Sequence, residues 1–374
     1  MKELKQIKLS TYELPKSREI TKGNMILWGP NHQIPQELIA TLHKSGIHRT
    51  IVKNIVRQLA GNGFQTEVNG VTDVKLEQIL NSANSRGESF DDILRKVSYD
   101  YYLFGGFSIQ LNWNMAHDRI VEIFHVDFST IASGLADTDD MVTLYYQSFN
   151  WGAFRPKITP IKAFDLSDRT ADETLLYYKP YSAGRFYYPE PDYWGAGMKW
   201  IEIDNELSSY KVNGLKNRFS AGMIVSIVAD NLSGDEKAAI HDDIESNFTG
   251  KDNNETFMVE FVADKEHAAT ITTVPTADPE AKYGQMQKEK TEEILWAHGI
   301  TSPLLVGVKD GAGFSSNADE LMIAYEIFFK QTIEPKQTIL EKEFSKILGY
   351  MGYDYSLQID KILPFNIQDN NKTA

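Results

Sequence analysis

Apolar side chains recur every three to four positions through the first hundred residues, and this spacing predicts helices. A short helix is expected from Pro35 to Ser45, and a second over His48–Leu59. A third should begin after Ser89, because a serine followed three positions later by an acidic residue is typical of a helix N-cap, and should end near Leu103.

From residue 105 the apolar positions alternate with polar ones, and this period of two predicts strands. Three strands are expected, over residues 107–113, 120–126 and 142–149. Residues 150–199 are rich in aromatic residues, proline and glycine and show no regular period, so we expect a rigid loop packed by its own rings. An alternative for residues 177–200 is a platform on which a sugar or a base stacks.

Patterns in the second half predict a small α/β segment held between two helices. The expected elements are a helix over 200–219, a strand over 221–228, a helix over 234–248, strands over 257–262 and 270–274, and a helix over 279–298. A long helix is expected from Asn317 to Leu348, and Pro335 inside it should produce a kink because it removes one backbone hydrogen bond. The fold class predicted from the whole pattern is α+β.

The composition is that of an ordinary globular protein. The chain has 374 residues, of which 42% are hydrophobic and 24% charged, and at this length several subdomains are expected. It contains no cysteine, which excludes a disulfide framework, a thiolate metal site and a cysteine nucleophile. No run reaches the roughly 18–20 apolar residues of a membrane span, so we expect no membrane partner.

Charge is unevenly distributed along the chain. The net charge is −14, from 38 Lys and Arg against 52 Asp and Glu. This disfavours a basic groove that grips nucleic acid, but it does not exclude a protein through which DNA passes without adhering. Asp230–Glu266 holds eleven acidic residues and three lysines, more than half of the excess negative charge. The first 22 residues hold six Lys and Arg, and we expect an arm that is ordered only when docked.

Candidate catalytic and metal-binding motifs are weak. Gly307–Ser316 is a glycine-rich loop before a helix, but it lacks the Gly-Lys-Ser/Thr end of a P-loop. The eight histidines are scattered, and the spacing of His43 and His48 suits neither a helical i,i+4 pair nor an HExxH site. The run Asp137–Asp140 lacks the glycine and distal glutamate of an EF-hand and is interpreted as a solvated turn. We therefore expect neither an enzyme nor a cofactor or metal site.

Several stretches, taken in order, resemble a known family. They are IVKNIVRQLAGNGF, FDDILRKVSYDYYLFGGFSIQLNW with the following HVDFSTI, YYPEPDYWGAGMKWIEIDNELSSYKVNG, and above all ILWAHGITSPLLVGVKDGAGFSSNADELMIAYEIFFKQTIEPKQTILEKEF. The last combines a helix, an aliphatic-Pro-aliphatic turn, a glycine loop, Ser-Asn-x-x-Glu and a long helix interrupted by proline. The chain thereby resembles the portal proteins of tailed bacteriophages, particularly the short portals of the HK97-like group, over residues 45–348. Prophage-remnant and gene-transfer-agent portals share this pattern.

The resemblance implies a dodecameric ring at one vertex of the virion, assembled in the bacterial cytoplasm, through which double-stranded DNA passes without sequence-specific binding. The implied partners are the terminase large subunit, then the head–tail adaptor, and the major capsid or scaffolding protein. The implied domains are an amino-terminal arm (1–22), a wing (23–199), a stem helix (200–219), a clip (220–278), a second stem helix (279–299), a tunnel-loop region (300–316), a kinked tunnel helix with part of the wing (317–348) and a short carboxyl-terminal segment with a reduced crown (349–374).

Three sets of residues acquire roles from this resemblance. The tunnel loop, expected at the constriction of the DNA channel, comprises Val308, Lys309, Asp310, Gly311, Gly313 and Phe314. The acidic residues of the clip suit either the channel lumen or a docking face for a basic segment of the motor, and those assigned to partner docking are Asp235, Glu236, Asp242, Asp243 and Glu245. The stem-helix lysines, expected on an exposed charged face, are Lys282, Lys288 and Lys290, and Pro335 marks the helix kink.

A carbohydrate-binding or carbohydrate-active protein is the alternative hypothesis. It is suggested by the aromatic residues of 177–200 and by the abundance of acidic side chains. The two hypotheses differ in the expected assembly, because a portal forms a large ring whereas the alternative predicts a monomer or dimer.

Overall fold

The computed structural model describes residues 19–68, 71–216, 223–228, 233–240, 249–250, 253–254, 257–262, 279–300, 302–306 and 318–362. The chain divides into two compact units, one formed by Met1–Ile201 with Thr291–Ala374 and the other by Glu202–Lys290. No helix in the described ranges is long and apolar enough to cross a bilayer. Helices and strands both contribute to the fold, so the predicted α+β class is confirmed.

One eight-stranded sheet organises the larger unit. The strands of this unit are β1 (Glu19–Lys22), β2 (Met25–Trp28), β3 (Glu67–Val68), β4 (Val71–Thr72), β5 (Phe107–Trp113), β6 (Ile120–Val126), β7 (Ile131–Gly134), β8 (Leu144–Gln147), β9 (Thr159–Ala163) and β10 (Glu173–Tyr178). The sheet order is β1-β2-β7-β8-β9-β10-β5-β6, and β3 pairs with β4 separately. Neighbouring strands are antiparallel except β9 and β10, which run parallel.

Most of the predicted helices lie close to where the pattern places them. The helices are α1 (Ile34–Lys44), α2 (Gly46–Ala60), α3 (Val74–Leu80), α4 (Phe90–Phe104), α5 (Ala196–Lys216), α6 (234–240), α7 (Pro279–Ala297), α8 (Ala318–Phe328) and α9 (Glu334–Tyr350). Of these, α3 was not predicted. The predicted cap of α4 is confirmed, since Ser89 and Asp92 form a reciprocal capping box. Gly105 ends this helix with φ 84°, a left-handed conformation that favours glycine.

The sheet and the helices α4 and α9 share an apolar core. Ile93 of α4, Leu111 of β5 and Phe344 of α9 belong to one buried cluster. A second cluster joins α1, α2, the end of α4 and residues 294–300 to Phe328 and Ile333. Burial of these side chains supplies most of the favourable free energy that holds the unit together.

The prediction of an irregular loop over 150–199 is wrong for two segments, since β9 and β10 lie within it. Their hydrogen-bonding partners are distant in sequence, because β10 pairs with β5 and β9 with β8. Tyr188 and Tyr193 are fully buried, and the hydroxyl of Tyr193 donates to the carbonyl of Leu103 at 2.7 Å. These two rings are therefore core residues, which disfavours a stacking platform built on them.

The last four residues of the predicted arm, Glu19–Lys22, form the edge strand β1 and are docked on β2. The carboxylate of Glu19 accepts hydrogen bonds from the backbone N–H groups of Phe186, Tyr187 and Tyr188 at 3.3, 2.7 and 3.1 Å. Residues 1–18 lie outside the described part of the chain. The carboxylate of Glu19 therefore anchors the start of β1 to residues 186–188.

After α9 the chain returns along the loop that follows α2. Ile359 forms an antiparallel bridge with Phe64, and the N–H of Asp360 donates to the carbonyl of Gly63 at 2.8 Å. Gly61, with φ 56°, could not be another residue here, because a Cβ would lie 2.2 Å from the carbonyl oxygen of Asp360. Part of the predicted short carboxyl-terminal segment thus belongs to the core, while residues 363–374 lie outside the described structure.

A π-helical turn, Phe329–Ile333, connects α8 to α9 where the sequence predicted a kink at Pro335. The N–H of Glu334 donates to the carbonyl of Phe329, five residues earlier, which is the π pattern. Pro335 directly follows this turn within a continuous helix, and it has no N–H to donate to the preceding helical turn. The irregularity in the long helix therefore precedes the proline.

The smaller unit contains a parallel strand pair. β11 (Met223–Val228) runs parallel to β14 (Phe257–Val262), and α6 lies between them in sequence. A short hairpin is formed by β12 (Thr249–Gly250) and β13 (Asn253–Asn254). The predicted strand over 270–274 lies outside the described residues.

Candidate functional site

The residues predicted to line the channel constriction lie outside the described part of the chain. These are Val308, Lys309, Asp310, Gly311, Gly313 and Phe314. The same holds for three of the predicted clip acids, Asp242, Asp243 and Glu245. The roles of both sets stay predictions.

The other two clip acids stand at the start of α6, and both are exposed. The carboxylate of Glu236 accepts hydrogen bonds from the N–H and the hydroxyl of Ser233 at 2.9 and 2.8 Å. The backbone bond from Ser233 is the main reason why the pKa of Glu236 is lowered. Glu236 therefore caps the helix, whereas the described contacts leave Asp235 facing solvent.

The lysines of α7 have different environments. Lys288 is exposed, and the side chain of Lys282 lies outside the described residues. Lys290 forms an ion pair with Asp204 of α5, and the two side chains are only 9% and 7% exposed. The prediction of an exposed face is wrong for Lys290, because its partner lies on another helix and cannot be seen in the local pattern.

A buried chain of hydrogen bonds holds the carboxyl-terminal end of α7 against α1, α2 and α4. The Tyr102 hydroxyl lies 2.6 Å from Nδ1 of His298, and Nε2 of His298 lies 2.9 Å from Nδ1 of His48. Nε2 of His48 lies 2.9 Å from Oγ1 of Thr41. The Thr41 hydroxyl in turn lies 2.6 Å from the carbonyl oxygen of Leu38.

The direction of every bond in this chain follows from its last member. Thr41 has one hydroxyl proton and donates it to the Leu38 carbonyl, so it must accept from Nε2–H of His48. Nδ1 of His48 then accepts from Nε2–H of His298, and Nδ1 of His298 accepts from the Tyr102 hydroxyl. Both imidazoles are neutral Nε2–H tautomers, and each polar atom of the chain is satisfied.

Burial keeps both histidines uncharged. Removal from water lowers the pKa of His48 to about 4. Burial, and secondarily the neighbouring His48, lowers the pKa of His298 well below its usual value. The ring of Tyr193 packs on both imidazoles, with centroids 4.8 and 5.1 Å away. The network therefore orients the end of α7 without introducing a charge into the core.

Sequence reasoning missed this network, because it compared His48 with His43 and not with His298. One local signal was available: His48, Ile51, Ile55 and Leu59 lie on one face of α2, so His48 belongs to the buried stripe. The partner residue is 250 positions away, and no sequence spacing indicates it.

The sequence matches a known family over most of its length. Residues 49–372 match the family described as "Phage portal protein". No curated protein matches the sequence.

Similar solved structures show a related fold. One is titled "Virion of native gene transfer agent (GTA) particle", with TM-score 0.58 and 15% identity over 94% of this chain and 90% of that one. "Neck of native GTA particle computed with C12 symmetry" has TM-score 0.56 and 15% identity over 90% of this chain and 88% of that one. "Neck of empty GTA particle computed with C6 symmetry" has TM-score 0.58 and 16% identity over 94% and 90%.

Proposed function

The chain belongs to the phage portal protein family, and from this premise we propose that it forms a ring at one vertex of a virion and conducts double-stranded DNA during packaging and ejection. The ring docks the terminase motor first and the head–tail adaptor afterwards, and it contacts the major capsid or scaffolding protein. ATP hydrolysis belongs to the motor, and this chain has a structural role. The observation that carries the proposal is the family match over residues 49–372.

Twelve copies per ring is the size that we propose. A similar fold in a neck computed with C12 symmetry supports this number. A closed ring also fits the physical requirement that identical contacts repeat until the rotation closes.

Electrostatics supports passage of DNA without adhesion. The net charge of −14 gives little attraction for a polyanion. Because affinity for DNA grows with the number of phosphates that Lys and Arg neutralise, a channel built from an acidic chain keeps DNA movable.

The mass of the purified protein tests the ring directly. Twelve chains of 42.4 kDa give about 510 kDa, and electron micrographs should show rings with an open centre. A stable monomer at micromolar concentration, with no rings at any salt concentration, would contradict the proposal.

The loop Val308–Phe314 is proposed as the constriction of the channel. Its glycines allow backbone conformations that other residues resist, so the loop can adapt to a moving helical duplex. Replacing Gly311 or Gly313 with valine is expected to leave rings intact and to reduce DNA packaging or retention. The matched control is Gly46→Val, at a position where a Cβ meets nothing within 4 Å. Normal packaging by both loop variants would contradict this role.

A further inference from the structure

Helix α8 carries large apolar side chains on two opposite sides. Tyr325 and Phe328 face the buried cluster that also holds α1, α2 and residues 294–300. Ile323 and Ile327 stand two positions before and after Tyr325, which places both about 200° around the helix from it. These two isoleucines are 58% and 42% exposed. Because a helix that is apolar all round is normally covered all round, the outer face of α8 requires a partner surface.

The charge of α8 indicates which kind of surface fits this face. The eleven residues of the helix include Asp319, Glu320 and Glu326 and no Lys or Arg. Lys330, just beyond its end, forms an exposed ion pair with Glu326 at 2.7 Å. Opposite charges favour the correct docking of two surfaces, whereas like charges oppose it. The outer face of α8 therefore fits an apolar surface that also carries basic side chains.

A surface of this kind lies on the same unit, in the segment between β8 and β9. Phe149 and Phe154 are 86% and 95% exposed. Residues 149–164 contain three Lys and Arg and no Asp or Glu, although the net charge of the chain is −14. The guanidinium of Arg155 lies 5.7 Å from the centre of the Phe154 ring. Arg155 and Lys157 are exposed and form no ion pair with the described residues.

The aromatic segment is anchored within its own subunit. Trp151, between the two exposed phenylalanines, is 9% exposed, and its indole N–H donates to the carbonyl of Thr130 at 3.0 Å. Trp151 packs with Leu27 and Ala132 in a small buried cluster, separate from the cluster that α8 faces. Because the segment is already held in place, docking of Phe149 and Phe154 costs little backbone entropy.

We propose that the outer face of α8 docks against residues 149–157 of the next copy of this chain in the ring. A contact that repeats around a ring joins two different surfaces of each subunit, and every copy carries both of these. The exposed isoleucines of α8 lie against Phe154 of the next copy, and the basic side chains of that segment face the acidic residues of α8. The inference rests on the proposed ring function and names the surfaces that hold neighbours together.

A carboxylate introduced at either surface tests the contact. Ile323→Glu and Phe154→Glu each bury a charge between two apolar surfaces, so each should raise the protein concentration at which half of the chains are in rings by about tenfold or more. Val74→Glu is the matched control, because Val74 is a β-branched helix residue with 61% exposure and belongs to neither surface. Sedimentation velocity measures assembly, and thermal unfolding checks that the subunits are equally stable.

Disulfide trapping identifies the surfaces that meet, and the absence of native cysteine gives a clean background. The full chain with Ile323→Cys and Phe154→Cys should form a ladder of covalent multimers on a non-reducing gel. The ladder should appear roughly tenfold faster than with Val74→Cys and Phe154→Cys, because docking raises the effective concentration. A product with the mass of a single chain would overturn the assignment to a second copy.

The wild-type chain separates this inference from the proposed function. A wild-type chain that forms no rings contradicts both. If the wild type forms rings and Ile323→Glu and Phe154→Glu assemble as well as Val74→Glu, or if the two cysteine pairs react at equal rates, the contact is overturned while the ring function stands. Intact rings that instead lose DNA or adaptor binding would assign these surfaces to that partner and would also overturn the contact.

Discussion

His32, His48 and His298 are buried in the larger unit, and burial is the first cause of the lowered pKa in each. For His48 and His298 the hydrogen bonds admit a single arrangement of protons, since the Thr41 hydroxyl is committed to Leu38. A proton added to Nδ1 of His48 would face Nε2–H of His298, so two donors would oppose each other in the core. The end of α7 therefore depends on both rings staying neutral.

Stability is expected to fall in acid for this reason. The unfolded chain takes up a proton on each histidine near pH 6.5, while the folded pKa of His48 is about 4. The free energy of unfolding should therefore be at its full value above pH 6.5. As the pH drops from 6.5 towards 4, it should fall by about 1.4 kcal/mol per pH unit for each such histidine. Urea unfolding at a series of pH values measures this slope.

The substitution His48→Gln removes one of the titrating groups that produce this pH dependence of stability. Between pH 6.5 and pH 4 the slope should decrease by about 1.4 kcal/mol per pH unit, although stability at pH 7 also falls because the network is broken. His43→Gln, at an exposed position of α1, is the control and should keep the slope. An unchanged slope in His48→Gln would show that this imidazole does not couple folding to pH.

At the scale of elements, the ion pair between Asp204 and Lys290 fixes how α5 and α7 lie together. Each charge is removed from water, and the cost of this is offset only when the other stands opposite. A shift of either helix by one residue would separate the pair. The contact therefore specifies register more than it adds stability.

Removing one member of the pair should lower the free energy of unfolding much more than replacing both members with apolar residues. Asp204→Ala leaves Lys290 buried without a counter-ion and is expected to cost about 3–5 kcal/mol of unfolding free energy. The double variant Asp204→Leu with Lys290→Met should recover most of this loss, because apolar side chains of similar size can occupy the site.

Lys288→Met on the exposed face of α7 is the matched control and should change stability by less than about 1 kcal/mol. Denaturant unfolding compares the four proteins. If Asp204→Ala were as mild as Lys288→Met, the pair would have no role in register.

On the scale of the whole molecule, charge distribution and assembly are the relevant properties. More than half of the excess negative charge falls between Asp230 and Glu266, in the predicted clip. Such a concentration favours docking of a basic partner segment and repels DNA. The proposed ring would repeat this acidic segment in every subunit around its axis.

Neutralising the clip acids should therefore weaken partner docking. The combined variant carries Asp235→Asn, Asp242→Asn, Asp243→Asn and Glu245→Gln and keeps Glu236, which caps α6. Affinity for the terminase or the adaptor, and its dependence on salt, should both decrease while rings still assemble. The control replaces Asp139 and Asp140, exposed acids of the larger unit, and should bind normally. Equal binding by both variants would remove the docking role of the clip.

The sequence by itself determined the features that depend on neighbouring residues. Helix periods and caps are local, so α2, α4 with its Ser89 cap, and the proline-initiated α7 were predicted within a few residues. The strands β5 and β6 alternate clearly and were predicted for the same reason. Family membership also followed from the sequence, through the order of these elements and the motif around the glycine loop.

The tertiary structure alone decided the contacts between residues that are distant in sequence. The strands β9 and β10 lack a clear period and exist because β8 and β5 lie beside them. The ion pair of Lys290 and the hydrogen bond between His48 and His298 join residues 86 and 250 positions apart. The partner of a side chain depends on which elements the fold brings together. The spacing of apolar residues in the sequence indicates only the face of the helix or strand on which that side chain lies.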